Sequence, residues 1–233
     1  MKVRSPHLQH YWENDWGLTV LLVSLCATFF VIAPFNELGY DVGPIGSMVF
    51  TLLLLSGVFA VARRGLTTIL FSAVALIAVA VHWTRYTSFG AHWLLADAVS
   101  SFVASGLLAA IVFVQVFRAG PITIRRIQGA IAAYMLIALM FAAIYVCIDV
   151  SSPGAFGGTP PTPDGVLHPT GRFAYFSFCT LTTVGYGDIV AIHPFARSTA
   201  MLEALIGQLF PAVLLARLVS LEIEDRRQRH GRD

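Results

Sequence analysis

Residues 180–188 read Thr-Leu-Thr-Thr-Val-Gly-Tyr-Gly-Asp, and this run decides how the rest of the chain is interpreted. Its two glycines, Gly185 and Gly187, alternate with larger residues. Glycine adopts left-handed backbone angles at little steric cost, so glycine at alternate positions lets successive carbonyl groups turn towards one side. The run follows an aromatic stretch and is flanked by long apolar segments. We therefore interpret it as a specialised loop and not as an ordinary glycine-rich turn.

The run resembles the selectivity filter of potassium channels, in which four chains meet on one axis and rings of backbone carbonyls replace the water around the ion. The resemblance covers about residues 124–219 and leaves the role of residues 1–117 unassigned. It implies K+ as the permeant ion and no cofactor. It also implies a further ring of oxygens, the Thr183 hydroxyls, at the inner end of the filter. The implied ion-binding residues are Thr183, Val184, Gly185, Tyr186 and Gly187.

The same resemblance implies that several neighbouring residues support the filter. Tyr175 and Phe176 stand where many potassium channels carry Trp-Trp, and Phe176 lacks the indole nitrogen that can bond the filter. We expect a hydrogen bond between Tyr175 and Asp188, with ordinary helix packing as the alternative. A second bond is expected between Thr180 and the Tyr186 hydroxyl. The implied support residues are Tyr175, Phe176, Thr180, Thr182 and Asp188.

The composition is that of a membrane protein, because 57% of the residues are hydrophobic and only 12% are charged. A spanning helix needs about 20 apolar residues. The segment 171–182 is shorter and is predicted to be a pore helix that re-enters the membrane. The fold class is thus an all-α membrane protein with six transmembrane helices, a pore helix and a filter loop, assembled as a tetrameric pore. The predicted spans are 18–35, 45–62, 66–83, 93–117, 127–148 and 198–219.

Basic residues orient these spans, since cytoplasmic loops are enriched in Lys and Arg. With both termini inside, all 15 Lys and Arg residues except Arg85, Arg172 and Arg197 fall on the inner side. The filter then lies at the outer face, and the small chain suggests a bacterial inner membrane. The predicted parts are a cytoplasmic N-terminus (1–16), a four-helix domain without assigned role (17–118), a pore domain (119–221) and a charged cytoplasmic tail (222–233).

The last span contains candidates for a gate. Gly207 is at the spacing of the hinge glycine of potassium channels, and Pro211 can kink the helix one turn later. Close helix packing is an equally good interpretation of Gly207. Glu203 is expected to brace the pore helix, with cation attraction or pairing with Arg197 as alternatives. Gln208, Pro211 and Leu215 are expected near the water-filled cavity.

Other residues bear on gating and partners. The span 93–117 contains no Lys or Arg, so we expect little voltage dependence. His193 is the best candidate among the outer histidines for sensing external pH, although a histidine without function is the alternative. Arginines in 118–126 are placed to meet anionic lipid head groups of the bilayer. Outer acids favour cations near the pore mouth, namely Glu37, Asp41, Asp149, Asp164 and Asp188.

The predicted function is a homotetrameric, potassium-selective channel. Two alternatives remain open, a subunit of a potassium transporter and a sensor or accessory subunit that keeps the pore fold without conducting. A catalytic constellation is absent from the sequence, which argues against an enzyme. Nothing in the sequence indicates a nucleic-acid partner.

Overall fold

The computed structural model of the chain describes residues 16–38, 40, 42–61, 66–87, 90–117, 123–158 and 169–230. Most of the predicted N-terminal segment, the loop 159–168 and the last three residues of the tail lie outside the described residues. The helices are α1 (Trp16–Ala27), α2 (Ala33–Glu37), α3 (Gly43–Val61), α4 (Leu66–Thr87), α5 (Ala91–Val116), α6 (Ile124–Ser151), α7 (Pro169–Leu181) and α8 (Pro194–His230). A π-helical segment, Thr28–Ile32, joins α1 to α2.

The described part of the chain is mostly helical, and four of its helical segments are long and apolar enough to cross a membrane. These are Gly17–Asn36, Ala91–Val116, Ile124–Ser151 and Pro194–Arg217. The other two predicted spans fall on α3 and α4, whose described apolar stretches Gly43–Phe59 and Thr68–Thr84 are shorter. The all-α membrane class is therefore confirmed with four candidate spans, and the number six remains a prediction.

Helix α6 is the centre of the packing, with α5 on one side and the pore helix α7 on another. Thr123 caps its start, where the hydroxyl oxygen accepts a bond from the backbone nitrogen of Arg126 at 3.4 Å. Small residues on α5 let it approach α6 closely, and two of them, Ala104 and Ala109, are buried. The result is a rigid support beside α7, which carries the loop 182–188.

Two short strands are the main departure from the predicted fold. Strand β1 (Phe156–Gly157) pairs antiparallel with β2 (Val190–Ala191), with Phe156 opposite Ala191. Gly and Pro are frequent in 151–170, which favours an irregular outer loop, and β1 is a regular element within that stretch. Pairing with residues far along the chain decides the structure there, and local composition carries no sign of it.

The last helix is longer than predicted. The predicted span ends at 219, whereas α8 continues to His230 and takes in most of the predicted tail. Pro211 lies inside this helix without ending it. A proline in a helix removes one backbone hydrogen bond, and the turns on both sides of Pro211 remain helical.

Candidate functional site

The loop after α7 has an alternating backbone. Thr183, Gly185 and Gly187 have φ angles of 59°, 53° and 80°, all in the left-handed region. The sequence predicted this for the two glycines and missed Thr183. A β-branched residue with positive φ is a true outlier, and such strain persists only where surrounding contacts impose it. The local sequence gives no sign of this strain beyond the regular alternation itself.

The inner end of the loop is tied to the end of α7 by backbone hydrogen bonds. The nitrogens of Val184 and Gly185 both donate to the carbonyl of Cys179, at 2.9 and 3.3 Å. The nitrogen of Thr183 donates to the carbonyl of Thr180 at 3.0 Å. Beyond these bonds the loop is open, since the side chains of Val184 and Tyr186 are 53% and 73% exposed. The backbone shape is thus built within one subunit, while the side chains face outwards.

The outer end of the loop is held by an acid and a tyrosine. Tyr175 Oη donates to Asp188 Oδ2 at 2.7 Å, so the expected hydrogen bond is present. The other carboxylate oxygen, Oδ1, accepts a bond from the Ile189 nitrogen at 3.0 Å. Gly158 lies against the Asp188 carbonyl, because a Cβ there would stand 2.0 Å from that oxygen. The segment before α7 therefore braces the residue that closes the loop.

The remaining predicted support residues make their contacts with α7 or α6. Thr180 Oγ1 donates to the Phe176 carbonyl at 2.8 Å, and no bond to Tyr186 forms within the described subunit. Thr182 Oγ1 donates to the Phe178 carbonyl at 2.7 Å. Phe176 is buried and its ring meets Tyr145 edge-on, with centroids 4.9 Å apart. Phe176 thus packs against α6, and its role as a support of the loop stays a prediction.

Glu203 braces the pore helix from behind. This fully buried side chain on α8 accepts hydrogen bonds at 2.5 Å from Tyr145 Oη on α6 and from Ser177 Oγ on α7. The favoured interpretation of Glu203 is confirmed, and pairing with Arg197 is wrong because Arg197 Nε donates to the Ala191 carbonyl at 3.2 Å. Sequence reasoning missed Tyr145 and Ser177, which stand far from Glu203 along the chain. Polar side chains from α6, α7 and α8 therefore meet at one buried point.

Gly207 brings α8 against the end of the pore helix. A Cβ on Gly207 would lie 1.8 Å from the carbonyl oxygen of Leu181. That same oxygen accepts a bond from Tyr134 Oη on α6 at 2.9 Å. The structure thus supports close packing as the reason for this glycine, and the hinge remains a prediction. Next to it, Gln208 Nε2 donates to Thr183 Oγ1 at 2.8 Å, a contact that the sequence did not predict.

The other predicted residues are placed as follows. His193 precedes α8, and its Nδ1 accepts a bond from the Phe195 nitrogen at 3.3 Å. Its role in pH sensing stays a prediction. Asp149 is half-buried near the end of α6. Asp41, Asp164 and the side chain of Glu37 lie outside the described residues.

A cavity of about 100 Å³ lies between the first helices and the pore region. Its lining includes Thr170 at the start of α7 and a buried hydrogen-bonded pair, in which His82 Nδ1 lies 2.7 Å from Asp97 Oδ1. The Phe50 ring packs on His82 with centroids 4.6 Å apart. The sequence did not predict the contact between His82 and Asp97, because nothing local links α4 to α5.

Comparisons of the sequence with known proteins indicate an ion channel. Residues 164–224 match the family described as "Ion channel". "Two pore potassium channel c" of Oryza sativa subsp. japonica is 34% identical over 92 residues, which are 40% of this chain and 20% of that protein. "Protein LctB" of Bacillus caldotenax is 36% identical over 90 residues, which are 37% of this chain and 64% of that protein. The matched part of the chain thus spans about a fifth of the Oryza protein and less than two thirds of the Bacillus protein. No solved structure matches the chain.

Proposed function

We propose that this chain, a member of the potassium channel pore-domain family, is one subunit of a potassium-selective channel that lets K+ pass down its gradient. The ion sites are the carbonyl oxygens of the loop 183–187 and the Thr183 hydroxyl. No chemical step is needed, because the fall in the electrochemical potential of K+ drives the flux.

The observation that carries the proposal is the alternation of left-handed residues at Thr183, Gly185 and Gly187. Such a backbone turns carbonyl dipoles towards one side, where they can replace the hydration shell of an ion. The oxygens keep their positions because the loop is anchored at Cys179 and at Asp188. Potassium is the ion that this chemistry favours in the family that the loop resembles.

The assembly that completes the site is a homotetramer. The loop occurs once in the chain, and irregular backbone at membrane depth is tolerated only when it is buried in protein or lines a watery cavity. Copies of the chain around the loop supply both conditions. Apolar side chains of α8 that are more than half exposed in the single subunit support this assembly, among them Met201, Leu202, Leu205, Leu209, Val213 and Leu215.

The proposed subunit is an integral protein of a bacterial inner membrane, with six spans and both termini cytoplasmic. It contacts the lipid bilayer directly, and its partner is further copies of itself. Helix α5 carries no Lys or Arg between Ala91 and Val116, which favours weak or absent voltage dependence. Its buried Asp97 is paired with His82 and is not a charge that could move alone across the membrane field.

The test is the reversal potential of the purified protein in planar bilayers under opposed K+ and Na+ gradients. We expect a value near the potassium equilibrium potential, lost in Gly185→Ala. A Cβ at Gly185 meets no atom of its own subunit within 4 Å, so the change acts on the left-handed backbone at a cost of about 1–2 kcal/mol. Gly154→Ala is the matched control, since Gly154 also has a positive φ of 85° and open space but lies outside the loop.

Other outcomes would point elsewhere. Absence of current across voltage, pH and lipid composition favours a non-conducting sensor or accessory subunit. Flux of K+ into liposomes without single-channel events favours a transporter subunit. Current that does not distinguish K+ from Na+ contradicts the selectivity part of the proposal. Native mass spectrometry of the detergent-solubilised protein tests the tetramer, and any other stoichiometry contradicts it.

A further inference from the structure

We propose that Gln208 positions Thr183 at the inner end of the filter loop and so determines how tightly the innermost ion site binds. This inference rests on the proposed function, since it concerns the same ion pathway. Its basis is the hydrogen bond in which Gln208 Nε2 donates to Thr183 Oγ1 at 2.8 Å. The two residues belong to different elements, so the bond joins α8 to the loop.

Thr183 needs such a contact. Its φ of 59° is the one positive φ among the non-glycine residues that the structure describes. The described hydrogen bonds of Thr183 are the one from its nitrogen to the Thr180 carbonyl at 3.0 Å and the one from Gln208. The first fixes the backbone and leaves the side chain free to rotate. Gln208 therefore supplies the contact that holds the hydroxyl group in one orientation.

The reach of Gln208 depends on its neighbour. Gly207 lets α8 approach the Leu181 carbonyl so closely that a Cβ would lie 1.8 Å from that oxygen. Tyr134 holds the same oxygen from α6 with a bond of 2.9 Å. These contacts bring the backbone of α8 to the end of α7, two residues before Thr183. A glutamine placed directly after the glycine is then within hydrogen-bonding distance of the loop.

The chemistry explains why an amide suits this position. A threonine hydroxyl has one proton and two lone pairs. The amide of Gln208 takes one lone pair, so the oxygen stays oriented and keeps the other lone pair for an ion. A preorganised oxygen binds a cation more tightly than one that must first be ordered. Without the amide, the hydroxyl rotates among its rotamers and the innermost site weakens.

The experiment measures block of the K+ current by barium, whose radius is close to that of K+ and which binds the same oxygen rings. We compare wild type with Gln208→Leu, Gln208→Glu, Thr183→Val and the double variant Gln208→Leu, Thr183→Val. Glutamate keeps the shape of glutamine but, when ionised, cannot donate the hydrogen bond. Gln115→Leu on α5 is the control, because it removes the same amide from a helix that does not contact the loop.

For Gln208→Leu we expect the barium dissociation constant to rise about tenfold, with a rise at least as large for Thr183→Val, which removes the hydroxyl oxygen itself. The double variant should be no weaker than Thr183→Val alone, because Gln208 acts through the hydroxyl that Thr183→Val already removes. Gln208→Glu should not give the wild-type barium dissociation constant, because an ionised glutamate cannot donate the hydrogen bond to Thr183. An unchanged constant in Gln208→Leu, or effects that multiply in the double variant, would overturn the proposal.

Failure of the proposed function gives a different result. If wild type carries no current, ion binding is read from the shift in the thermal unfolding midpoint between K+ and Na+ buffers. A shift that shrinks in Gln208→Leu and not in Gln115→Leu supports the role of Gln208. An equal shift in all three proteins overturns it. Should Gln208→Leu fail to assemble, Gln208→Met, which keeps a straight chain of similar length, takes its place in both assays.

Discussion

Replacing Glu203 distinguishes a hydrogen-bonding carboxyl from a required charge. Ser177 has one hydroxyl proton and two acceptors within reach, the Ala138 carbonyl at 2.6 Å and Glu203 at 2.5 Å. In Glu203→Gln the amide nitrogen donates to Ser177, Ser177 donates to Ala138, and the amide oxygen accepts from Tyr145. Every polar group keeps a partner, so we expect the free energy of unfolding to change by less than about 1 kcal/mol per subunit.

Glu203→Ala should be much more damaging. It leaves the fully buried hydroxyl of Tyr145 without its acceptor, which costs about 1–3 kcal/mol. The void left by the shorter side chain adds to this, for a total of about 3 kcal/mol per subunit. Ser177 is spared, because it still donates to Ala138. Tyr145→Phe should cost about 1–3 kcal/mol, since it removes a donor from the buried acid.

The assay is unfolding of the purified protein by sodium dodecyl sulfate in mixed micelles, followed by far-ultraviolet circular dichroism. Ser198→Ala, on the exposed surface of the same helix, is the control and should change the midpoint little. The reasoning is refuted if Glu203→Gln destabilises the protein as much as Glu203→Ala does. That result would mean that the negative charge itself is required.

Two further predictions concern the close packing at Gly207 and the contact between His82 and Asp97. Gly207→Ala should lower the yield and melting temperature of the assembled protein, because its Cβ would overlap the Leu181 carbonyl at 1.8 Å. Gly106→Ala should be mild, as its Cβ meets only a flexible methionine sulfur at 3.1 Å, and equal losses in both would contradict this account. His82→Ala should cost about 1–3 kcal/mol in the same unfolding assay, because it removes the hydrogen bond between His82 Nδ1 and the buried carboxyl of Asp97 at 2.7 Å. Adding Asp97→Ala should recover part of that loss, and a further loss would refute the pairing.

The sequence by itself determined the class of protein and the place of the loop. Apolar segments of membrane length are visible in composition alone, because a bilayer imposes a minimum length on any span. The glycines at 185 and 187 indicated the alternating backbone, which the structure has. The bond between Tyr175 and Asp188 was also expected, from the resemblance of this stretch to the filter of potassium channels.

The tertiary structure alone decided the contacts between distant segments. The strand pair β1–β2, the meeting of Tyr145, Ser177 and Glu203, and the bond from Gln208 to Thr183 all join residues far apart along the chain. Gly207 illustrates the reason. In the sequence it fitted a hinge and close packing equally well, and only the tertiary structure places the Leu181 carbonyl against it, which supports packing and leaves the hinge as a prediction. Local sequence sets which backbone angles are cheap, whereas the partner of a buried polar group depends on how whole helices pack.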